Sequence, residues 1–284
     1  MKNALLRIAG WAAGWLPSDA IQQIYQFKPA ASLIRKILNI VAPHGLTSVT
    51  VAGGGLAGVK LVLDLQSEKD YWLGSYEPEL QAAVRDWMKP GIVVYDVGAN
   101  IGYLSLLMAR QIGDGGRVFA FEALPANVER LRLNLESSGL GEGITVVSAA
   151  VVDVERPVKF LVGVSGGMGK AEGSAGRQQL PYKESIEVQG ISLDQFVFEK
   201  DNPPPGLVKI DIEGGEVLAL PGMRRVLHEC HPIIFLELHG PEAAQISWKE
   251  LVSAGYRICR IQRGYPEATS IDSMEWKAYI VAYQ

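Results

Sequence analysis

The feature that most restricts this chain is a junction near its middle. A strand-like run, Val93–Val97, passes directly into Asp96-Val97-Gly98-Ala99-Asn100-Ile101-Gly102, and residues 103–111 then carry helical periodicity. A covered strand that feeds a glycine turn and then a helix is the opening unit of a doubly wound α/β sheet. Such a unit presents a ligand site at the strand's carboxyl end. The pattern repeats downstream. Strands are expected at Arg117–Phe121, 144–151, 207–211, 233–238, 256–261 and 278–282, and helices at 126–137, 216–227 and 247–254. This alternation predicts a mostly parallel sheet over residues 90–284. With 48% apolar and 20% charged residues in a chain of 284, a large core can form and wholesale disorder is excluded.

Upstream the pattern differs. Residues 47–51 and 59–65 are β-rich and flank Gly53-Gly54-Gly55, which reads as a hairpin, and a helix is expected over 78–88 before Pro90-Gly91. Residues 1–45 hold Lys2, Arg7, Lys28, Arg35 and Lys36 against Asp19 alone, so this arm is about +4 in a chain of net charge −4. Leu33, Ile34, Ile37, Leu38 and Val41 recur at helical spacing there, and the apolar stretch 4–16 is too short to span a bilayer. The chain divides into a helical basic arm (1–45), a hairpin and helix lead-in (46–89) and the sheet domain (90–284). The arm is a candidate contact with a membrane surface or a second copy of the chain. Mild acidity argues against a dedicated nucleic-acid binder. Cys230 and Cys259 form no disulfide framework, so the expectation is a reduced, cytoplasmic protein, peripheral to a membrane if the arm docks there.

Three glycine patterns compete for the ligand. Residues 53–58 satisfy GxGxxG but lead into a strand, whereas a dinucleotide fingerprint must open a helix. Gly163-Val164-Ser165-Gly166-Gly167 satisfies GxSxG, but more glycines follow where a nucleophile elbow needs a helix. Six glycines in 163–176 instead read as a flexible loop, extending to about 185. The 96–102 segment has the right context. Gly98 lets backbone approach a ligand, and Gly102 lets the helix start close to the strand. A carboxylate at Asp96 repels a pyrophosphate but can accept hydrogen bonds from an amino-acid ammonium. That points to S-adenosylmethionine. Glu122, at the tip of the next strand, suits ribose hydroxyls, and the backbone at Ser148-Ala149-Ala150 could read an adenine edge.

These residues, with Val208-Lys209-Ile210-Asp211-Ile212-Glu213-Gly214-Gly215-Glu216 and Phe235-Leu236-Glu237-Leu238-His239, resemble the FkbM family of S-adenosylmethionine-dependent methyltransferases. The resemblance spans about residues 70–239, and 209–216 is its most specific part. It implies a class I fold: a Rossmann-like, seven-stranded, mostly parallel sheet with an antiparallel last strand, here preceded by the helical arm and the hairpin. It also implies methyl transfer, usually to oxygen, and assigns cofactor roles to Asp96, Gly98, Asn100 and Glu122. The sequence departs from the family at Ala123, where proline is common. The full set of candidate cofactor contacts is Glu77, Asp96, Gly98, Ala99, Asn100, Glu122, Ala123, Ala149 and Asp211.

A sulfonium methyl is already activated, so the remaining tasks are alignment and removal of the acceptor's proton. Asp211, Glu213 and His239 are the catalytic candidates, with His239 favoured as base for its ordinary pKa. No dedicated metal site is assigned. Asp211, Glu237 and His239 could alternatively hold a divalent cation, magnesium or manganese. The acceptor is expected to be a hydroxyl on a small molecule or glycan. Two other readings stand beside this one: an NAD-dependent oxidoreductase on a similar sheet, and a non-catalytic cofactor-binding scaffold.

Overall fold

The computed structural model describes residues 42–164, 168–176, 181–273 and 279–284. Nearly all of the basic arm, with its proposed helices, therefore lies outside the described residues, as does Ser165 of the GxSxG pattern. The chain divides into two compact units, a smaller one within Met1–Ala82 and Leu133–Glu142, and a larger one of Ala83–Arg132 and Gly143–Gln284.

In the smaller unit, β1 (Leu46–Thr50) pairs antiparallel with β2 (Lys60–Asp64). Leu61 and Leu63 alternate inward along β2, which is the period-2 signal of a half-buried strand. The 53–58 glycines make a short 3-10 turn between the strands, so the GxGxxG pattern there is a hairpin connection. A short helix, α1 (Lys69–Leu73), follows and ends at Gly74, and α2 (Pro78–Trp87) runs on into the larger unit. Among the described residues no helix is long and apolar enough to cross a membrane.

The larger unit is built on the expected sheet. Its strands are β3 (Val93–Val97), β4 (Arg117–Phe121), β5 (Ile144–Val147), β10 (Leu207–Ile210), β11 (Ile233–Glu237), β12 (Arg257–Arg260) and β13 (Tyr279–Tyr283). Their order is β12-β13-β11-β10-β3-β4-β5, and β13 runs antiparallel to both neighbours. The strand order reverses between β3 and β10, so the crevice at their carboxyl ends is the natural ligand site of the sheet. The helices α3 (Tyr103–Ile112) and α4 (Pro125–Ser138) follow β3 and β4.

Four expectations from the sequence need correction. The run 144–151 is not one strand: β5 stops at Val147, and β6 (Ala150–Val151) leaves for a second sheet. The 163–185 segment is not simply a loop. With β7 (Arg156–Gly163), β8 (Gly169–Ala171) and β9 (Tyr182–Ile191), β6 forms a four-stranded sheet of order β6-β9-β7-β8. Its own core of Val158, Phe160, Val162 and Ala171 lies under Leu124 and Val152. Glycine content hid the strands because β8 needs Gly169 to pass the Phe160 ring and the Leu161 carbonyl. The expected helix 216–227 is broken. It becomes Glu216–Ala219, a 3-10 turn Leu220–Met223 and a π turn Val226–Cys230, since Pro221 supplies no N–H to continue the first segment. The helix expected over 247–254 instead begins at Pro241, as Pro241–Ser253.

Candidate functional site

The glycine turn after β3 is fixed on two sides. Gly98 N–H and Ala99 N–H both donate to the Phe121 carbonyl, at 3.0 and 2.9 Å, and Asn100 N–H donates to Glu122 Oε2 at 2.8 Å. Gly98 has φ +81°, and a Cβ there would come within 1.9 Å of the Asp211 carbonyl oxygen. Its glycine is thus demanded by the neighbouring β10 terminus, before any ligand is considered. Gly102 (φ +89°) likewise makes room for Leu131 of α4 rather than for its own strand. Ala99 is buried between them.

Asp96 is completely buried. Its Oδ1 forms an ion pair with Lys209 Nζ at 3.1 Å, and its Oδ2 accepts a hydrogen bond from Ser105 Oγ at 2.5 Å. A direct contact between this carboxylate and a ligand ammonium would have to displace one of these partners. Glu122 is also turned inward. It accepts from Asn100 N–H and, at 2.9 Å, from Leu124 N–H, with Asn127 as a third partner. An ionised carboxylate offers about four acceptor positions, so one remains. Burial raises the Glu122 pKa, and those three hydrogen bonds and the Lys209 charge oppose the rise. Ala123 is half-buried after it, while Ala149 is buried and donates its N–H to the Val147 carbonyl where the chain leaves the sheet. Glu77 belongs to the smaller unit, where it opens α2 with φ +44° and accepts from Gln81 N–H.

At the ends of β10 and β11 the structure gathers four carboxylates around one imidazole. His239 Nδ1 donates to Glu216 Oε1 at 3.1 Å. Its Nε2 lies 3.5 Å from Glu237, 3.7 Å from Asp211 and 3.9 Å from Glu213. Glu216 is wholly buried, and its Oε1 also accepts from the Ile212 and Gly214 N–H groups, which fixes the turn carrying Glu213. The Tyr279 hydroxyl donates to Asp211 Oδ2 at 3.1 Å. Burial pulls the His239 pKa down, but the hydrogen bond and charge of Glu216, then Asp211 and Glu237, lift it to about 9. Burial and the Asp211 charge push Glu237 up to about 8. The sequence reading favoured His239 as base for its ordinary pKa; in the structure the surrounding acids shift that pKa upward and favour the protonated imidazole.

Asp211, Glu237 and His239 each offer one ligand atom, all within 4.8 Å of one another. Two carboxylates and an imidazole suit a divalent cation. The sequence had not singled out Lys209, Glu216, Ser105 or Tyr279 for a role at the site. A signal existed for the first: a lysine inside the covered strand Val208-Lys209-Ile210 must find a buried counter-charge. Burial lowers the Lys209 pKa, and Asp96 and Asp211 more than offset this, so the net shift is upward.

A strap from the second sheet touches the same turn. Ala175 N–H donates to the Gly214 carbonyl at 2.9 Å, and a Cβ on Gly214 would lie 2.1 Å from the Ala175 oxygen. Lys170 Nζ steadies the strap by donating to the Ala175 carbonyl at 3.1 Å.

Comparison with known proteins gives the following relatives. The hexuronic acid methyltransferase AglP of Haloferax volcanii is 29% identical over 151 residues, covering 52% of this chain and 56% of that protein. The 31-O-demethyl-FK506 methyltransferase FkbM of Streptomyces tacrolimicus is 29% identical over 177 residues, covering 51% of this chain and 68% of that protein. The chain thus spans about half to two thirds of the length of these relatives. A crystal structure of a methyltransferase FkbM from Methylobacillus flagellatus KT aligns with a TM-score of 0.48 at 17% identity, covering 77% of this chain and 54% of that one. Residues 96–258, from the first acid of the glycine turn to β12, match the methyltransferase FkbM domain, and the chain belongs to that family.

Proposed function

We propose that this protein transfers a methyl group from S-adenosylmethionine to a hydroxyl oxygen of a small molecule or glycan. The observation that carries the reading is the placement of an acid–histidine cluster at the ends of β10 and β11, beside the glycine turn at the end of β3 in the same crevice. The names of AglP and FkbM, a hexuronic acid methyltransferase and a 31-O-demethyl-FK506 methyltransferase respectively, support the acceptor class. In this reading the glycine turn, Glu122 and the backbone near Ala149 hold the cofactor. Asp96 acts through the fold of the turn.

The residues at the cluster fit a divalent cation, magnesium or manganese, held by Asp211, Glu237 and His239. Such an ion, when bound, would lower the pKa of an acceptor hydroxyl. The chain's own groups do the rest. Glu216 orients the imidazole through Nδ1, so that Nε2 faces the two carboxylates. Tyr279 orients Asp211. Glu213 is the most exposed acid of the cluster, and it takes the acceptor proton out to solvent. The residues of 1–45, a peripheral membrane contact and self-association through them remain proposals of the sequence alone.

The deciding experiment is calorimetry of the full chain with S-adenosylhomocysteine and with NAD, followed by radiolabelled methyl transfer to a panel of hexuronates, neutral sugars and macrolides. Homocysteine-product binding and label transfer to a hydroxylated acceptor are expected. Binding of NAD alone would give the oxidoreductase reading its place, and product binding without transfer to any acceptor would favour a scaffold.

A further inference from the structure

We infer that Lys209 is the positioning residue of the cofactor turn, gripping Gly98 from the β10 side. The inference rests on the cofactor reading above. Lys209 sits in the middle of the sheet, opposite Asp96 in register, and its side chain is almost completely buried. An ammonium has three donors and no acceptor, so a buried one is stable only where three acceptors converge. Here they do. One is Asp96 Oδ1 at 3.1 Å, the second is the Gly98 carbonyl at 2.9 Å, and the Val97 carbonyl lies at 3.5 Å. Asp211 Oδ2 stands 4.0 Å away, on the side of the acid–histidine cluster.

The Gly98 contact separates this residue from a plain counter-ion. The N–H groups of Gly98, Ala99 and Asn100 are all drawn towards β4 and Glu122. The Gly98 carbonyl instead accepts from Lys209 on β10. The turn is therefore held between two strands, by acceptors on β4 and by one donor on β10. Releasing the β10 side leaves the peptide plane between Gly98 and Ala99 held by the Ala99 N–H alone, and that is a plane a nucleoside ligand would meet. The same ammonium touches Asp96 and lies near Asp211, so one side chain sets the geometry of both halves of the crevice.

A double-mutant cycle tests this. Lys209→Met keeps the length of the side chain and removes the charge, but it strands Asp96 as a buried anion. Asp96→Asn with Lys209→Met removes both charges and keeps a foldable neutral core. S-adenosylhomocysteine affinity is measured by calorimetry and folding by thermal melting, for wild type, D96N, K209M and D96N/K209M. The expected result is that D96N/K209M melts cooperatively at or above the temperature of K209M, yet binds the ligand at least tenfold more weakly than D96N. Equal affinity of D96N and D96N/K209M, within twofold, would overturn the inference, because Lys209 would then only neutralise Asp96. If wild type itself fails to bind while melting normally, the cofactor reading fails and the inference falls with it.

Discussion

The two halves of the crevice handle charge in opposite ways. On the cofactor side every buried acid is matched: Asp96 meets Lys209 and Ser105, and Glu122 meets backbone N–H groups and Asn127. On the proposed acceptor side four carboxylates surround one imidazole, and the Lys209 ammonium stands 4.0 Å from Asp211, one of the four. The first arrangement is complete without a ligand and serves to hold shape. The second is short of positive charge, which is the condition a catalytic group needs if its pKa is to be moved by what binds.

The contrast can be broken most directly on the acceptor side. Asp211→Ala and His239→Ala are expected to lower turnover of a confirmed acceptor by a factor of about 10²–10⁴ while leaving S-adenosylhomocysteine affinity near wild type. Calorimetry beside initial rates checks both halves of that statement, and unchanged turnover would remove the cluster from the chemistry. A manganese titration followed by electron paramagnetic resonance sharpens the same point, because the Asp211→Ala protein should lose the bound signal and chelation should silence the wild type.

On the cofactor side, effects should appear in binding and stability together. Glu122→Ala orphans the Asn100 and Leu124 N–H groups as well as any ribose contact, so ligand binding should weaken by roughly 1–3 kcal/mol. If the affinity is unchanged, Glu122 only fastens the turn. Gly98→Ala forces a side chain against the Asp211 carbonyl at positive φ, at a cost of about 1–3 kcal/mol in denaturant-measured stability. A smaller loss would mean that β10 can yield at that point.

The mildest effect is expected at a pair that belongs to neither half. Arg224 donates to both oxygens of Glu250, at 2.7 and 2.6 Å, and holds the Glu250 pKa below the usual carboxylate range. A lowered acid contributes stability above its unfolded pKa, and loses it as pH falls through the folded value. Because the guanidinium is half exposed, Glu250→Gln should cost no more than about 1 kcal/mol at pH 7. The melting temperatures of variant and wild type should converge as pH falls below the ordinary carboxylate range, and a gap that persists there would point to packing instead.

Most of the frame was legible because it follows from periodicity and punctuation. The strands on either side of the glycine turn, the hairpin and the last strand agree with the sequence reading to within a residue or two, and the antiparallel direction of that last strand agrees with what the family resemblance implied. The failures have distinct physical sources. Val147 and Ala150 read as one apolar run because both ends are covered, though by different sheets. The second sheet was masked by glycines that serve close packing, as Gly169 does against Phe160. At the site, the acids and the histidine were visible as residue types. The upward shift of the His239 pKa was not, because it depends on Glu216 approaching from 23 positions away in sequence. Lys209 was visible as an anomaly but carried no address, since its acceptors lie more than a hundred residues upstream.

The contact between Ala175 and Gly214 has a consequence for how such a protein can be remodelled. The joint between the inserted sheet and the acid-bearing turn is made by an N–H on one side and a carbonyl on the other, at a glycine with no room for a side chain. A joint of that kind reads the strap's backbone more than its side chains, with Gly176 as the exception, where a Cβ would lie 2.9 Å from the Glu213 carbonyl. Exposed positions of the hairpin can therefore be rewritten while Lys170, Gly176 and the strap's backbone course are kept. It behaves as a socket whose shape is set by backbone and two glycines.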